Sequence, residues 1–109
     1  MALQPLRIPA GWTVSWNSWI DEDPSEDNFI CFDGTTLFSA DCNVVEPMLS
    51  LDIEYYPKNL EEGMFCAIFV SYKMRKGKVV EEERLGSYKT KSRLDMVEKI
   101  EKFMLEGKI

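Results

Sequence analysis

Apolar and polar residues alternate with a period of two along several stretches of the chain, the pattern of half-buried β-strands. The first predicted strand follows Gly11 and covers residues 12–18. The clearest one covers residues 49–56, where buried-type apolar side chains alternate with more polar ones before Pro57. Residues 21–28 between them are polar and contain Pro24, so we expect a loop there.

Turn residues predict two β-hairpins. The Asp33-Gly34 pair predicts a tight turn between strands at residues 29–32 and 35–40. The Lys76-Gly77 pair predicts a second turn, between strands at residues 64–74 and 79–88.

The strand at residues 64–74 begins with seven residues that are apolar on both faces, as expected of a central strand covered on two sides. The run Glu81-Glu82-Glu83 puts charge on both faces of the next strand, which is typical of an exposed sheet edge.

The last segment changes to a helical period. Ser92 is the predicted N-cap and Gly107 the predicted C-cap of an amphipathic helix. Its predicted core stripe consists of Met96, Val97, Ile100, Phe103 and Met104. Together these elements predict one α+β domain over residues 1–109, with five or six antiparallel strands in a meander and one C-terminal helix packed on one face.

Composition narrows the function classes. The chain of 109 residues contains no histidine, which removes imidazole-based catalysis and most catalytic zinc sites. Its net charge of −6 opposes binding to a phosphate backbone, so we expect no nucleic-acid partner. No stretch has the ~20 apolar residues of a membrane span, and the first residues lack the pattern of a secretory signal. Cys31, Cys42 and Cys66 lie among apolar neighbours, and we expect reduced core thiols in a cytoplasmic protein without a membrane partner.

Two groups of acidic residues are candidates for a metal site or a catalytic site. The run from Asp21 to Asp27 resembles the start of a calcium loop, but Glu26 occupies the position that needs glycine and Phe32 the position that needs a closing glutamate. Asp52 and Glu54 share one face of a strand and lie about 7 Å apart, but catalysis needs one of them desolvated. The glycines are scattered singly, without a phosphate-binding pattern. We therefore expect no cofactor, no metal and no enzymatic activity.

Charge is unevenly distributed along the chain. Residues 1–62 hold twelve acids against two bases, a net of −10, and residues 63–109 carry a net of +4. A concentrated negative field speeds encounter with a cationic protein, so the leading hypothesis is a non-catalytic domain that binds a basic protein. Strand spacing places Trp12 and Trp16 toward the core and Trp19 on the opposite face. The candidate partner-binding residues are Trp19, Asp21, Glu22, Asp23, Glu26, Asp27, Asp52 and Glu54, and the hypothesis requires the acids to converge into one patch.

Two alternatives stay open. The first is a structural or regulatory subunit that forms a homodimer through the edge at residues 79–88. The second is a small-molecule-binding domain with an aromatic pocket formed by Trp12, Trp16, Tyr55 and Tyr56.

Several short motifs also resemble a known class. Ile8-Pro9-x-Gly11-Trp12, Asp23-Pro24, Leu51-Asp52-Ile53-x-Tyr55-Tyr56-Pro57 and Gly63-x-Phe65 are similar to segments of small bacterial immunity proteins of polymorphic or contact-dependent toxin systems. The likeness covers roughly the first seventy residues. It implies an α+β fold and neutralisation of a toxin by binding, and it identifies no contact residues.

Overall fold

Five antiparallel strands and one C-terminal helix form the protein in a computed structural model that describes residues 2–33 and 36–108. The strands lie in the sheet in the order of the chain, so each one pairs with the next, and the predicted meander is confirmed. The elements are β1 (Trp12–Asn17), β2 (Thr36–Cys42), β3 (Met48–Tyr56), β4 (Met64–Arg75), β5 (Lys78–Thr90) and α1 (Arg93–Glu106), with a short 3-10 helix at Phe29–Cys31.

The β4–β5 hairpin has the predicted two-residue turn. Lys76 and Gly77 have φ angles of 53° and 78°. Positive φ at both central residues twists the turn in the sense that the flanking strands require. The hairpin strands are 12 and 13 residues long, and the molecule measures 45 × 24 × 22 Å.

Alternation along the strands builds a core on one face of the sheet. Leu51, Ile53, Phe65, Ala67 and Phe69 are fully buried on this face, and they pair across β3 and β4 in register. Burial of each large apolar side chain contributes roughly 1.5–3 kcal/mol. We call this side the core face.

The helix α1 covers the core face. Phe103 lies 4.5 Å from Phe69 and 5.9 Å from Trp12 between ring centroids. The indole N–H of Trp12 donates a 2.9 Å hydrogen bond to the carbonyl of Met104, so β1 also satisfies a carbonyl at the end of the helix. The predicted position of the helix is confirmed.

Both predicted helix caps are present. The Ser92 hydroxyl accepts a 3.1 Å hydrogen bond from the Asp95 amide, which satisfies a free N–H of the first turn. Gly107 adopts the left-handed conformation with φ of 73°, and its amide donates to the Phe103 carbonyl at 2.7 Å.

The predicted strand at residues 29–32 is wrong, because this segment forms a 3-10 turn. The side chain of Asn28 accepts a hydrogen bond from the Ser25 amide and donates to the Asp23 carbonyl, and such local bonds favour a turn over a strand. The turn buries Phe32 against Tyr55 and Phe65, at centroid distances of 5.6 and 6.1 Å. Gly34, at the predicted hairpin turn, and Thr35 lie outside the described residues.

The predicted place of β4 is also wrong. It is the fourth of five strands, and β3 is central. Only its core face is covered by α1, while Ile68 and Val70 on its other face are half-buried by neighbouring side chains. The predicted edge is confirmed, because β5 ends the sheet with Glu81, Glu82 and Glu83 exposed.

The tryptophans differ from the prediction at two of three positions. Residue pairing between β1 and β2 skips Ser15, since Val14 pairs with Ala40 and Trp16 with Ser39. This β-bulge turns Trp16 to the face opposite Trp12, where it is 55% exposed. Trp19 lies beyond the end of β1 and is 0% exposed, packed 5.7 Å from Phe65.

Trp19 gives a direct test of the core. Its indole N–H has no hydrogen-bond partner among the described residues, so Trp19→Phe keeps aromatic packing and removes an unsatisfied donor. We expect Trp19→Phe to lower the free energy of unfolding by less than about 2 kcal/mol, and Trp19→Ala by about 3–5 kcal/mol. Urea denaturation measures both, and equal losses would show that the N–H has a partner.

The contact between α1 and β5 predicts a pH dependence. The Tyr88 hydroxyl donates a 2.6 Å hydrogen bond to the Asp95 carboxylate, while Lys99 lies 5.1 Å from the Tyr88 ring. This bond raises the pKa of Tyr88 above 10.0, and bonds from Tyr88 and Thr90 hold the pKa of Asp95 below 3.8. Stabilisation by Asp95 is therefore present above pH 3.8 and is lost as the pH falls through its lowered pKa. Stabilisation by Tyr88 is present below pH 10.0 and is lost as the pH rises through its raised pKa.

Tyr88→Phe removes this hydrogen bond. We expect the melting temperature to fall at neutral pH and the deficit to shrink as the solution is acidified through the pKa of Asp95. The carboxyl pKa of Asp95, followed by NMR, should rise toward 3.8 in the variant. An unchanged pKa would contradict the bond.

Candidate functional site

The acidic loop at residues 21–27 is partly neutralised by the helix. The guanidinium of Arg93, the first residue of α1, lies 2.7 Å from the Asp21 carboxylate and 3.1 Å from that of Asp23. It also donates to the side-chain oxygen of Gln4. Because the Arg93 side chain is only 14% exposed, these bonds fix the loop and the N-terminal segment against α1.

All five loop acids are exposed, including the two beside Arg93. Glu22 accepts a 3.2 Å hydrogen bond from the side-chain amide of Asn28. Over residues 2–33 and 36–108, no group of three histidine, cysteine, aspartate or glutamate side chains is arranged to hold a metal ion.

Asp52 and Glu54 lie on the other side of the sheet. They alternate along β3 with the buried residues Leu51, Ile53 and Tyr55, so their side chains point away from α1. The loop acids next to Arg93 lie on the helix side. The acids therefore do not converge into one patch, and this expectation from the sequence is wrong.

The side of the sheet that carries Asp52 is the candidate site, and we call it the open face. Asp52 pairs with Ser39 on β2 and with Ile68 on β4, and Trp16 pairs with Ser39 on β1. The Ser39 hydroxyl donates a 2.5 Å hydrogen bond to the Asp52 carboxylate. This row connects an exposed indole, a carboxylate and an aliphatic side chain across the strands.

The open face has three parts that run along the strands. Their residues follow from the strand register, which places paired residues on the same face. They are an acidic half on β2 and β3 (Asp41, Asp52, Glu54), an apolar column on β4 (Cys66, Ile68, Val70, Tyr72) and a charged flank on β5 (Glu82, Arg84, Lys89).

The acidic half forms no ion pair within the described residues. The ion pairs among the described residues join Arg93 to the loop acids and Lys73 to Glu81, and none involves Asp41, Asp52 or Glu54. A shallow depression of about 350 Å³ crosses the apolar column. It is lined by Asp41, Ser50, Val70, Tyr72, Val79 and Glu82.

Two aromatic side chains frame the open face, and the sequence did not single them out as partner contacts. Trp16 is held by hydrogen bonds from its indole N–H to the Thr36 carbonyl at 2.7 Å and to the Ser18 hydroxyl at 3.1 Å. Tyr56 ends β3 and is 59% exposed. Alternation along β3 could have placed Tyr56 beside Glu54, but the bulge that turns Trp16 leaves no signal in the periodicity.

Titratable side chains on the open face differ in their exposure. Asp52 and Glu54 are both exposed to solvent. Burial raises the pKa of the Cys66 thiol, which opposes formation of the reactive thiolate. Burial and the nearby Asp41 raise the pKa of Tyr72. The three cysteines are free, with Cys42 and Cys66 buried and Cys31 half-buried.

The aromatic pocket of the small-molecule alternative is not formed. Trp12 and Tyr55 pack into the core face, whereas Trp16 and Tyr56 lie on the open face. A groove of about 580 Å³ between the N-terminal segment and α1 contains none of these rings. It is lined by Arg7, Ile8, Pro9, Glu98, Glu101, Lys102 and Leu105.

Comparisons with protein-family models, with curated proteins and with solved structures find no match to this chain. No described helix is both long and apolar enough to cross a membrane.

Arg93 gives a test of how the acidic loop is held. Arg93→Met keeps the apolar stem and removes the bonds to Asp21, Asp23 and Gln4. We expect a loss of about 1–2 kcal/mol in the free energy of unfolding, because the pairs are charged but partly exposed. Amide hydrogen exchange should accelerate in the loop. Lys102→Met, on the exposed side of the same helix, is the control, and equal effects of both variants would contradict the role of Arg93.

Proposed function

We propose that this chain is a non-catalytic protein-binding domain that captures a basic protein on the acidic half of its open face. The observation that carries the proposal is the position of Asp41, Asp52 and Glu54 on adjacent strands, without ion-pair partners among the described residues and beside a partly accessible apolar column. Unpaired surface carboxylates attract a cationic partner, and the apolar column supplies contact area once the partner arrives.

The aromatic side chains strengthen this proposal. Tryptophan and tyrosine are over-represented among the residues that dominate binding free energy. Trp16 is exposed and its ring is already fixed by two hydrogen bonds, so binding would cost little additional side-chain entropy. Of the partner-binding residues predicted from the sequence, Asp52 and Glu54 belong to the surface that we propose. Trp19 is buried, and Trp16 is the tryptophan on that surface.

The resemblance to bacterial immunity proteins suggests that the partner is a toxin. Two of the motif residues have structural roles. Gly11 has a φ of 94°, and a Cβ atom at Gly63 would lie 2.1 Å from the Tyr55 ring. Asp52 and Tyr56 belong to the motif at residues 51–57 and lie on the open face. Neutralisation by occlusion of a basic toxin surface needs no chemistry from this chain.

The homodimer alternative receives less support from the edge strand. Glu81, Glu82 and Glu83 are exposed along β5. A symmetric antiparallel pairing centred on this run would set glutamates of both copies against one another, and like charges directly opposite are destabilising.

The proposal predicts an electrostatic association. The binding probe is the C-terminal domain of the protein encoded beside this chain in its genome, tested for toxicity and for complex formation. We expect the double variant Asp52→Asn, Glu54→Gln to associate about 5–10-fold more slowly at low salt and with a weaker salt dependence, as measured by stopped-flow or surface plasmon resonance.

A matched control changes the same net charge on the other side of the sheet. Glu98 and Glu106 are exposed on α1, so Glu98→Gln, Glu106→Gln should change the association rate less than about two-fold. Equal effects of the two double variants, or no complex with the neighbouring protein, would contradict the proposed function.

A further inference from the structure

Strand β4 is apolar on both faces, and the described chain covers its core face fully and its open face only in part. On the core face, Phe65, Ala67 and Phe69 are fully buried beneath α1 and the turn that carries Phe32. On the open face, Ile68 and Val70 occupy the alternate positions and stay partly accessible. A strand that is apolar on both sides is typical of a sheet between two layers.

The apolar column is narrow, and the charges beside it have opposite signs. Glu54, Cys66 and Lys89 form one row across β3, β4 and β5. In the next rows Asp52 flanks Ile68 on one side, and Arg84 flanks Val70 on the other. Glu82, nearer the hairpin turn, is the acid on the β5 side. The strands β3 and β5 are separated by about 10 Å, twice the spacing between neighbouring strands.

These dimensions match one α-helix. A helix has a diameter of about 10 Å with its side chains, and Cys66 to Tyr72 spans about 20 Å, the length of about 13 helical residues. An extended segment could not hydrogen-bond its backbone to the face of a sheet, because all strand amides and carbonyls lie in the sheet plane. A helix satisfies its own backbone and needs only an apolar stripe.

We infer that the open face receives an amphipathic helix of the partner, laid along β4 with cationic residues toward Asp52 and Glu54 and acidic residues toward Arg84 and Lys89. The inference rests on the proposed function and specifies the element that is bound. The inferred helix is more specific than any cationic segment. A helix that is basic on both flanks would place like charges against Arg84 and Lys89, which would repel it.

Designed peptides of about 15 residues test this inference on the full chain. All carry the same leucine stripe. One has lysine on one flank and glutamate on the other, one has lysine on both flanks, and one has glutamate on both. Titration into isotope-labelled protein, followed by NMR, gives the dissociation constants and the surface involved. We expect the mixed peptide to bind about five-fold more tightly than the all-lysine peptide, with the all-glutamate peptide weakest.

Variants of the β5 flank sharpen the test. Arg84→Glu, Lys89→Glu should reverse the order, so that the all-lysine peptide binds more tightly than the mixed one. Lys102→Glu, Lys108→Glu makes the same change of charge at exposed positions beyond the sheet and should preserve the original order.

Three outcomes would overturn the inference. The all-lysine peptide could bind the unmodified protein at least as tightly as the mixed one, or a mixed peptide with a central proline could bind as tightly as the unbroken one. The third outcome is that the NMR chemical-shift changes lie outside the open face. Each of these leaves the proposed function standing if the neighbouring protein still forms a complex that is sensitive to Asp52 and Glu54. Loss of that complex would instead remove the proposed function, whichever peptide binds.

Discussion

A single helix on a five-stranded sheet can bury only one of its two faces, and the remaining features of this molecule follow from that constraint. The core face holds the buried apolar side chains of β3 and β4, and it is closed by Phe103 of α1 and by the turn that carries Phe32. The open face keeps a column of partly accessible apolar side chains on β4. Accessible apolar surface with a polar rim is typical of interaction sites.

The acidic residues also differ between the two sides of the sheet. On the helix side, Arg93 binds Asp21 and Asp23, so part of the acidic first half is used to hold the fold together. On the open face, Asp41, Asp52 and Glu54 have no such partner among the described residues. The second group keeps its field for another molecule, whereas a count of acids along the sequence also includes the carboxylates that bind Arg93.

Local patterns in the sequence predict the elements well, because periodicity and turn residues act over a few positions. The helix caps at Ser92 and Gly107 and the Lys76-Gly77 turn are found as predicted. The wrong predictions concern features that hydrophobic periodicity does not encode. One bulge at Ser15 reverses the face of Trp16, and the side-chain bonds of Asn28 replace a predicted strand by a 3-10 turn. The apolar sequence of β4 predicted a central strand, but its rank is set by the order in which all five strands pair, which one strand's composition does not contain.

Methyl and indole NMR of the labelled chain, in complex with the C-terminal domain of the protein encoded beside it, shows whether the partner binds the open face. We expect signals of the Trp16 indole N–H and of the Ile68 and Val70 methyl groups to shift, and the indole N–H to be protected from exchange, while signals of the helix side stay unchanged. Signal changes confined to the acidic loop or to the outer surface of α1 would contradict binding at the open face.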